Sequence, residues 1–222
     1  MEQTMLEAMM SRKSVRSYTD QMVSDADIEK VLKAGQYAAN GRGRMATKFV
    51  VVKNREIRDE LSKMNADIMG TTSDPFYGAP VVIWVLADRN VHTYVEDGSL
   101  AIGNMLLEAH ALGLGACWIH RAKEMSELPE GRALLQKWGV SDDEIGVGCC
   151  ILGYAKGEQP EKKPRRNDQI IVVELRNFFH AVGELRSSWL SSAEGCRGHA
   201  APCIDFAIMR NENLRSNRSS PF

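Results

Sequence analysis

Residues 97–120 read DGSLAIGNMLLEAHALGLGACWIH, and this stretch decides the fold class. Leu100, Met105, Leu106, Leu107, Ala109 and Ala111 make its first part apolar on most sides, so the pattern predicts a buried helix over residues 97–112. Gly113-Leu114-Gly115 caps that helix, and Ala116-Cys117-Trp118-Ile119 reads as a strand.

Outward from this unit the same alternation repeats. Towards the N-terminus, helices are expected over residues 4–10, 25–39 and 55–69, with strands over 49–52 and 81–88. Ser24 is a plausible N-cap, Ile28, Val31, Leu32 and Gly35 follow at helical spacing, and Asn40-Gly41-Arg42-Gly43 breaks the helix. Ile57, Leu61, Met64 and Ile68 set the inner face of the third helix, and Tyr77-Gly78-Ala79-Pro80 reads as a turn into the next strand. Towards the C-terminus a helix is expected over 130–138, a strand over 148–153, a basic loop over 160–166 and a short last strand over 170–173. Strands separated by helices imply an α-plus-β domain of three layers around one sheet, and leave the strand order open.

Composition sets the outer bounds. The chain has 222 residues, 44% hydrophobic and 26% charged, which excludes a mainly disordered protein. Twenty-eight Lys and Arg against 29 Asp and Glu give a formal net charge of −1, so no polyelectrolyte role on nucleic acid is expected. No apolar run spans a bilayer and no signal peptide is evident. The five cysteines are an odd count, read as reduced thiols in a cytoplasmic protein. After residue 163 lysine disappears, while Ser and Arg accumulate and periodicity is lost. The expected organisation is therefore one domain over 1–175 and an atypical, partly disordered tail over 176–222, with at most one helix over 178–190. A shifted reading frame or a lineage-specific extension accounts for such a tail.

Three segments have the chemistry of an anion or cofactor site. Arg12-Lys13-Ser14-Val15-Arg16 places three cations and a hydroxyl within five residues, and Lys163-Pro164-Arg165-Arg166 is a second, stiffened basic cluster. Each alone reads as a solvated face; together, in a chain of almost zero net charge, they favour one shared anion. Asn40-Gly41-Arg42-Gly43-Arg44 allows close backbone approach to a ligand, but neither a Walker loop nor a dinucleotide fingerprint is present. Cys117 lies in an apolar strand, where a free thiol is inert. The five histidines are scattered without H-E-x-x-H, so no metal site is expected.

The order of these elements carries a resemblance. R-K-S-V-R-S-Y comes first, then an A-x-x-A-x-G-x-G loop before K-F-V-V-V. Y-G-A-P-V-V-I, the D-G-S to W-I-H stretch, G-x-x-x-L-x-K-W-G, I-L-G-Y and K-P-R-R follow. From about residue 5 to 175 the chain resembles the flavin-dependent nitroreductases, in their short single-domain branch.

The resemblance implies an α+β three-layer sandwich, its central sheet mostly antiparallel and flanked by helices. It also implies a domain-swapped homodimer with FMN at the interface, residues 170–173 adding a strand to the partner's sheet. Arg12, Lys13, Ser14 and Arg16 match the family's N-terminal FMN motif, and Lys163 and Arg165 its C-terminal phosphate contacts. Ala39, Asn40 and Gly41 match the loop that reaches the flavin of the other subunit. Trp118, Ile119, His120 and Arg121 match the turn whose backbone N–H faces flavin N5. The chain departs from many relatives in having Met45-Ala46-Thr47 where they carry a Gln-led triplet. The implied activity is ping-pong hydride transfer from NAD(P)H through FMN to a nitroaromatic, quinone or related conjugated acceptor, with no catalytic side chain required. The alternatives are a flavin-binding protein without turnover, or a relative that oxidises or dehalogenates an organic substrate or fragments flavin.

Overall fold

The computed structural model describes residues 4–159 and 161–173. In chain order the elements are α1 (Met5–Ser11), α2 (Asp25–Gln36), a 3-10 turn (Gly41–Gly43), β1 (Thr47–Val52), α3 (Arg55–Met69) and β2 (Val81–Asp88). They continue with α4 (Tyr94–Ala111), β3 (Gly115–Ile119), α5 (Ala122–Glu127), α6 (Pro129–Lys137) and β4 (Glu144–Gly153). Side chains at the helix starts explain several of these boundaries. Thr4 and Glu7 form a reciprocal capping box on α1, Ser24 accepts from the Asp27 N–H of α2, and Asn54 accepts from the Ile57 N–H of α3.

The four strands form one sheet in the order β1-β2-β4-β3, every neighbouring pair antiparallel. Alternation along β2 sorts the core into two halves. Val82, Trp84 and Leu86 face Leu61 and Met64 of α3, Met125 of α5 and Leu135 of α6. Val81, Ile83 and Val85 face Ile28 and Val31 of α2 and Ile102, Met105 and Ala109 of α4. Helices thus cover both faces, and the three-layer expectation holds. In β4, Gly148 pairs with Val85 and Gly146 with Leu86, which leaves Val147 as a bulge. A Cβ at Gly98 would lie 2.7 Å from Val147 Cγ2, so the glycine lets α4 pass over that bulge.

Three expectations meet the structure differently. Residues 170–173 form no strand within the single chain, where the expected partner sheet is not present, and Ile170, Ile171, Val172 and Val173 are 81%, 86%, 66% and 90% exposed. An apolar run becomes a strand only where a sheet edge takes its backbone groups, and hydrophobicity alone supplies no edge. Helix α4 is buried on one side only: Leu100 is 50% exposed, and Leu106 and Leu107 are half-buried. Residues 122–127, assigned no structure from sequence, form α5. The expected boundary at 175 and the helix over 178–190 lie outside the described residues. Among the described residues no helix is long and apolar enough to cross a membrane.

Candidate functional site

The chain leaves α1 at Arg12 and runs beside the outer edge of β3, where the Val15 N–H donates to the Ala116 carbonyl at 3.1 Å. This bridge and a second between Tyr18 and Ala155 fix the basic motif at one end of the sheet. Gln159 holds it from the other side: its carbonyl accepts from Lys13 Nζ at 3.2 Å, and its Oε1 accepts from the Arg16 N–H at 3.2 Å. The buried Tyr18 hydroxyl donates to the Val15 carbonyl at 2.8 Å and closes the loop.

Arg12 is the informative residue of the motif. Its Nη1 is buried and has no hydrogen-bond partner among the described residues. A guanidinium nitrogen left in this state costs free energy unless a ligand atom accepts from it. Other basic groups stand beside it. Ser11 Oγ lies 2.7 Å from His110 Nε2, and Lys162 Nζ donates to the Met10 carbonyl. Burial, and then the charges of Lys162 and Arg12, hold the His110 imidazole below its usual range. A cluster whose cations disfavour one another is chemically fitted to an anion.

The second part is the turn after β3. Trp118 is half-buried, Ile119 buried and His120 exposed, and Arg121 takes a left-handed backbone conformation at φ 70°. Asn65 on α3 holds this turn from beneath, although fully buried itself. Its Nδ2 donates to the His120 carbonyl at 2.8 Å, and its Oδ1 accepts from Arg121 Nε at 3.0 Å. Arg16, Tyr77, Trp118, His120 and Arg121 border a cavity of about 210 Å³. Asp74 fixes the loop that carries Tyr77, accepting from Ser62 Oγ at 2.5 Å, from Arg58 Nη2, and from the Phe76 and Gly78 N–H groups at 2.8 and 2.7 Å. Burial pushes the Asp74 carboxyl up, and these hydrogen bonds outweigh it and hold the group below the ordinary carboxylate range.

The third part is at the other edge of the sheet. Ala39 and Asn40 line a cavity of about 800 Å³ with Tyr37, Met45, Phe49 and Asp97. The Gly41 N–H donates to Asp97 Oδ1 at 2.9 Å, and a Cβ on Gly41 would lie 2.2 Å from Thr93 Oγ1, so only glycine fits. Asn40 Oδ1 accepts from the N–H of the exposed Met45. Three strand spacings, roughly 14 Å, separate β1 beside this loop from β3 beside the basic motif.

The sequence-derived residues are therefore divided in space. Arg12, Lys13, Ser14 and Arg16 gather with Trp118, Ile119, His120 and Arg121 around β3, whereas Ala39, Asn40 and Gly41 sit beside β1. Lys163 and Arg165 are exposed, and it is Lys162 that reaches Met10 at the end of α1. Sequence reasoning missed Asn65, His110, Gln159 and Lys162. Asn65 did leave a signal: it is a polar residue four positions after Leu61, on the inward stripe of α3. Cys117, Cys149 and Cys150 are buried, and burial pushes the Cys150 thiol up to about 12, in line with inert thiols.

Comparison with known proteins fits this arrangement. Residues 9–75 and 68–154 match the model of the nitroreductase family. Two archaeal proteins carry the provisional name NADH dehydrogenase/NAD(P)H nitroreductase. The one from Archaeoglobus fulgidus is 33% identical over 69% of this chain and 87% of its own length. The one from Methanothermobacter thermautotrophicus is 34% identical over 73% and 81%. A Bacteroides fragilis nitroreductase solved with bound FMN superposes with a TM-score of 0.72 at 29% identity, covering 77% of this chain and 98% of that one.

Proposed function

The chain belongs to the nitroreductase family, and from that premise we propose that it is an FMN-dependent oxidoreductase. It would take hydride from NAD(P)H and deliver it to a nitroaromatic, quinone or related conjugated acceptor. The observation that carries the cofactor is the buried Nη1 of Arg12, without a partner among the described residues and close to the His110 ring that Lys162 also faces. A phosphate supplies the oxygen acceptors that this cluster needs.

In this reading Arg12, Lys13, Ser14, Arg16, Lys163 and Arg165 hold FMN, with Lys162 adding positive charge near the phosphate and the His110 ring beside it. Trp118, Ile119, His120 and Arg121 form the surface presented to the ring. FMN, when bound, supplies the two-electron chemistry between nicotinamide and acceptor. The residues contribute position. Gln159 and Tyr18 fix the basic strand, Asn65 fixes the turn after β3, and Asp74 fixes the Tyr77 wall of the cavity. No side chain needs to give or take a proton for hydride to pass. One small cavity beside the turn suits reactants that come in succession, hence a ping-pong order.

A homodimer completes the site in this proposal. The Asn40 loop stands at the sheet edge away from its own Arg12 cluster, so a second subunit would bring the two together. Exposed Leu100 on α4 and exposed residues 170–173 supply apolar surface for that association. A stoichiometric FMN complex that light scattering shows to be monomeric would refute the dimer.

The test of the function is direct. The purified protein should be yellow, bleach with NAD(P)H under anaerobic conditions and recover colour with a nitroaromatic or quinone. Bound FMN that nicotinamide does not reduce would favour a binding protein without turnover. A colourless protein that FMN does not reconstitute would refute both readings.

A further inference from the structure

We propose that His110 takes up a proton when the phosphate of FMN docks beside Arg12, so that the protein holds its cofactor more tightly as the pH falls through neutrality. The proposal rests on the flavin reading above and gives that site a further phosphate-binding residue and a pH dependence.

The geometry supports it. His110 stands in the last turn of α4, and its Nε2 lies 2.7 Å from Oγ of Ser11, the residue before Arg12. The Ser11 hydroxyl donates to the Ala8 carbonyl at 3.3 Å, which leaves its oxygen to accept from Nε2–H. That contact survives protonation, because the second proton enters at Nδ1. The charged groups that bear on the ring are both cations: Arg12 after α1, and Lys162, whose Nζ donates to the Met10 carbonyl. Glu7, the carboxylate of α1, is engaged by Thr4 at the start of that helix. α2 and the sheet meet the inner face of α4 through apolar side chains, Ile28, Val31, Ile83 and Val85 among them.

Opposed influences therefore meet at one ring. The carbonyl end of α4 favours an imidazolium. Without FMN, burial and the two cations outweigh it and hold the ring below its usual range. The buried Nη1 of Arg12 marks where an anion accepts. A phosphate dianion there cancels the repulsion and adds an attraction, so the balance at His110 reverses. Affinity is then gained as the pH falls through the raised value of the complex, and levels off below the lowered value of the free protein. The second ionisation of the phosphate itself, at about pH 6, has the opposite sign, since cations that bind the dianion expel its last proton.

The test titrates FMN into apoprotein by calorimetry at pH 7, in phosphate-free buffers of low and high ionisation enthalpy, and follows the FMN Kd from pH 8 to 6.5 by flavin fluorescence. Binding should take up protons, and the Kd should fall roughly three- to ten-fold over that range, since each unit gained in pKa is ten-fold in affinity. His110→Gln should lose both effects. His120→Gln, which changes the exposed histidine of the turn after β3, should keep them. Wild-type protein that binds FMN without taking up protons overturns the proposal, even if His110→Gln fails to fold. Uptake that persists in a folded His110→Gln, or that disappears in His120→Gln, also overturns it by assigning the proton elsewhere. Wild-type protein that binds no FMN overturns the flavin reading itself.

Discussion

Replacing Arg12 by alanine should separate the flavin-bound from the flavin-free protein. In the free chain the guanidinium holds a buried nitrogen without a partner among the described residues, next to Lys162 and His110. An unpaired buried donor costs about 1–3 kcal/mol, and the nearby Lys162 cation adds to it. A phosphate oxygen reverses both terms, because a charge-assisted hydrogen bond contributes about 1.5–3 kcal/mol. Arg12→Ala should therefore raise the FMN Kd roughly 10–100-fold. The apoprotein should keep or raise its Tm, since the lost packing of the aliphatic stem is offset by the relief of the buried charge. Arg12→Lys should fall between, retaining charge without the planar fork. Quenching of flavin fluorescence gives the Kd, and thermal unfolding of apoprotein at pH 8 gives the Tm. An unchanged Kd would remove Arg12 from the site. An apoprotein weakened as much as the complex would make Arg12 a structural residue.

Three further outcomes follow from the geometry. Truncation after Leu175 should leave bound FMN per chain unchanged, whereas truncation after Asp168 should lose flavin; equal loss in both would place the tail in the fold. His110 is held below its usual 6.5, so as pH falls through 6.5 the unfolded chain takes up a proton first. The apoprotein should thus lose stability below pH 6.5, His110→Gln should flatten that slope in a Tm series from pH 5 to 8, and an identical slope would contradict the assignment. Asp74→Asn should destabilise the protein by about 1–3 kcal/mol in urea, a range that allows for partial solvent screening. Because Asp74 is depressed below 3.8, its contribution should be full at neutral pH and be lost only as the pH falls below 3.8, an acid limb that the variant should lack.

How much of this was legible in the sequence depends on the length scale of each interaction. The helices and four strands were readable because 3.6- and 2-residue periods are local: Leu61 and Met64 announce one face of α3, and Val82, Trp84 and Leu86 one face of β2. Strand order was not readable, since β4 pairs with β2 and β3 through contacts that no local pattern encodes. Helix α5 was missed because six residues give too few turns for a period to show. The basic motif at 12–16 was visible as composition, but its neighbours were not. His110 was read as one of several scattered histidines, and Lys162 was passed over for Lys163, because proximity across about 100 to 150 residues is set by the fold alone.

At residues 170–173 the local signal was strong and its meaning was not local. Ile170, Ile171, Val172 and Val173 have high strand propensity, yet a strand also needs an edge to pair with, and within this chain they form none. Four exposed aliphatic side chains in sequence are costly for a protein that stays alone, since each buried side chain of this kind is worth about 1.5–3 kcal/mol. The edge strand β1 borders a cavity of about 590 Å³ lined by Phe49, Val51, Ile57 and Trp138 together with Lys48, Lys53 and Asn54. An open sheet edge and an exposed strand-former are complementary between two copies of the chain, which is the pairing that the proposed homodimer uses. Replacing Ile171 and Val173 with lysine should therefore reduce the dimer and bound FMN in parallel, seen by light scattering with flavin absorbance. Dimers that persist with full flavin would assign this segment no part in the interface.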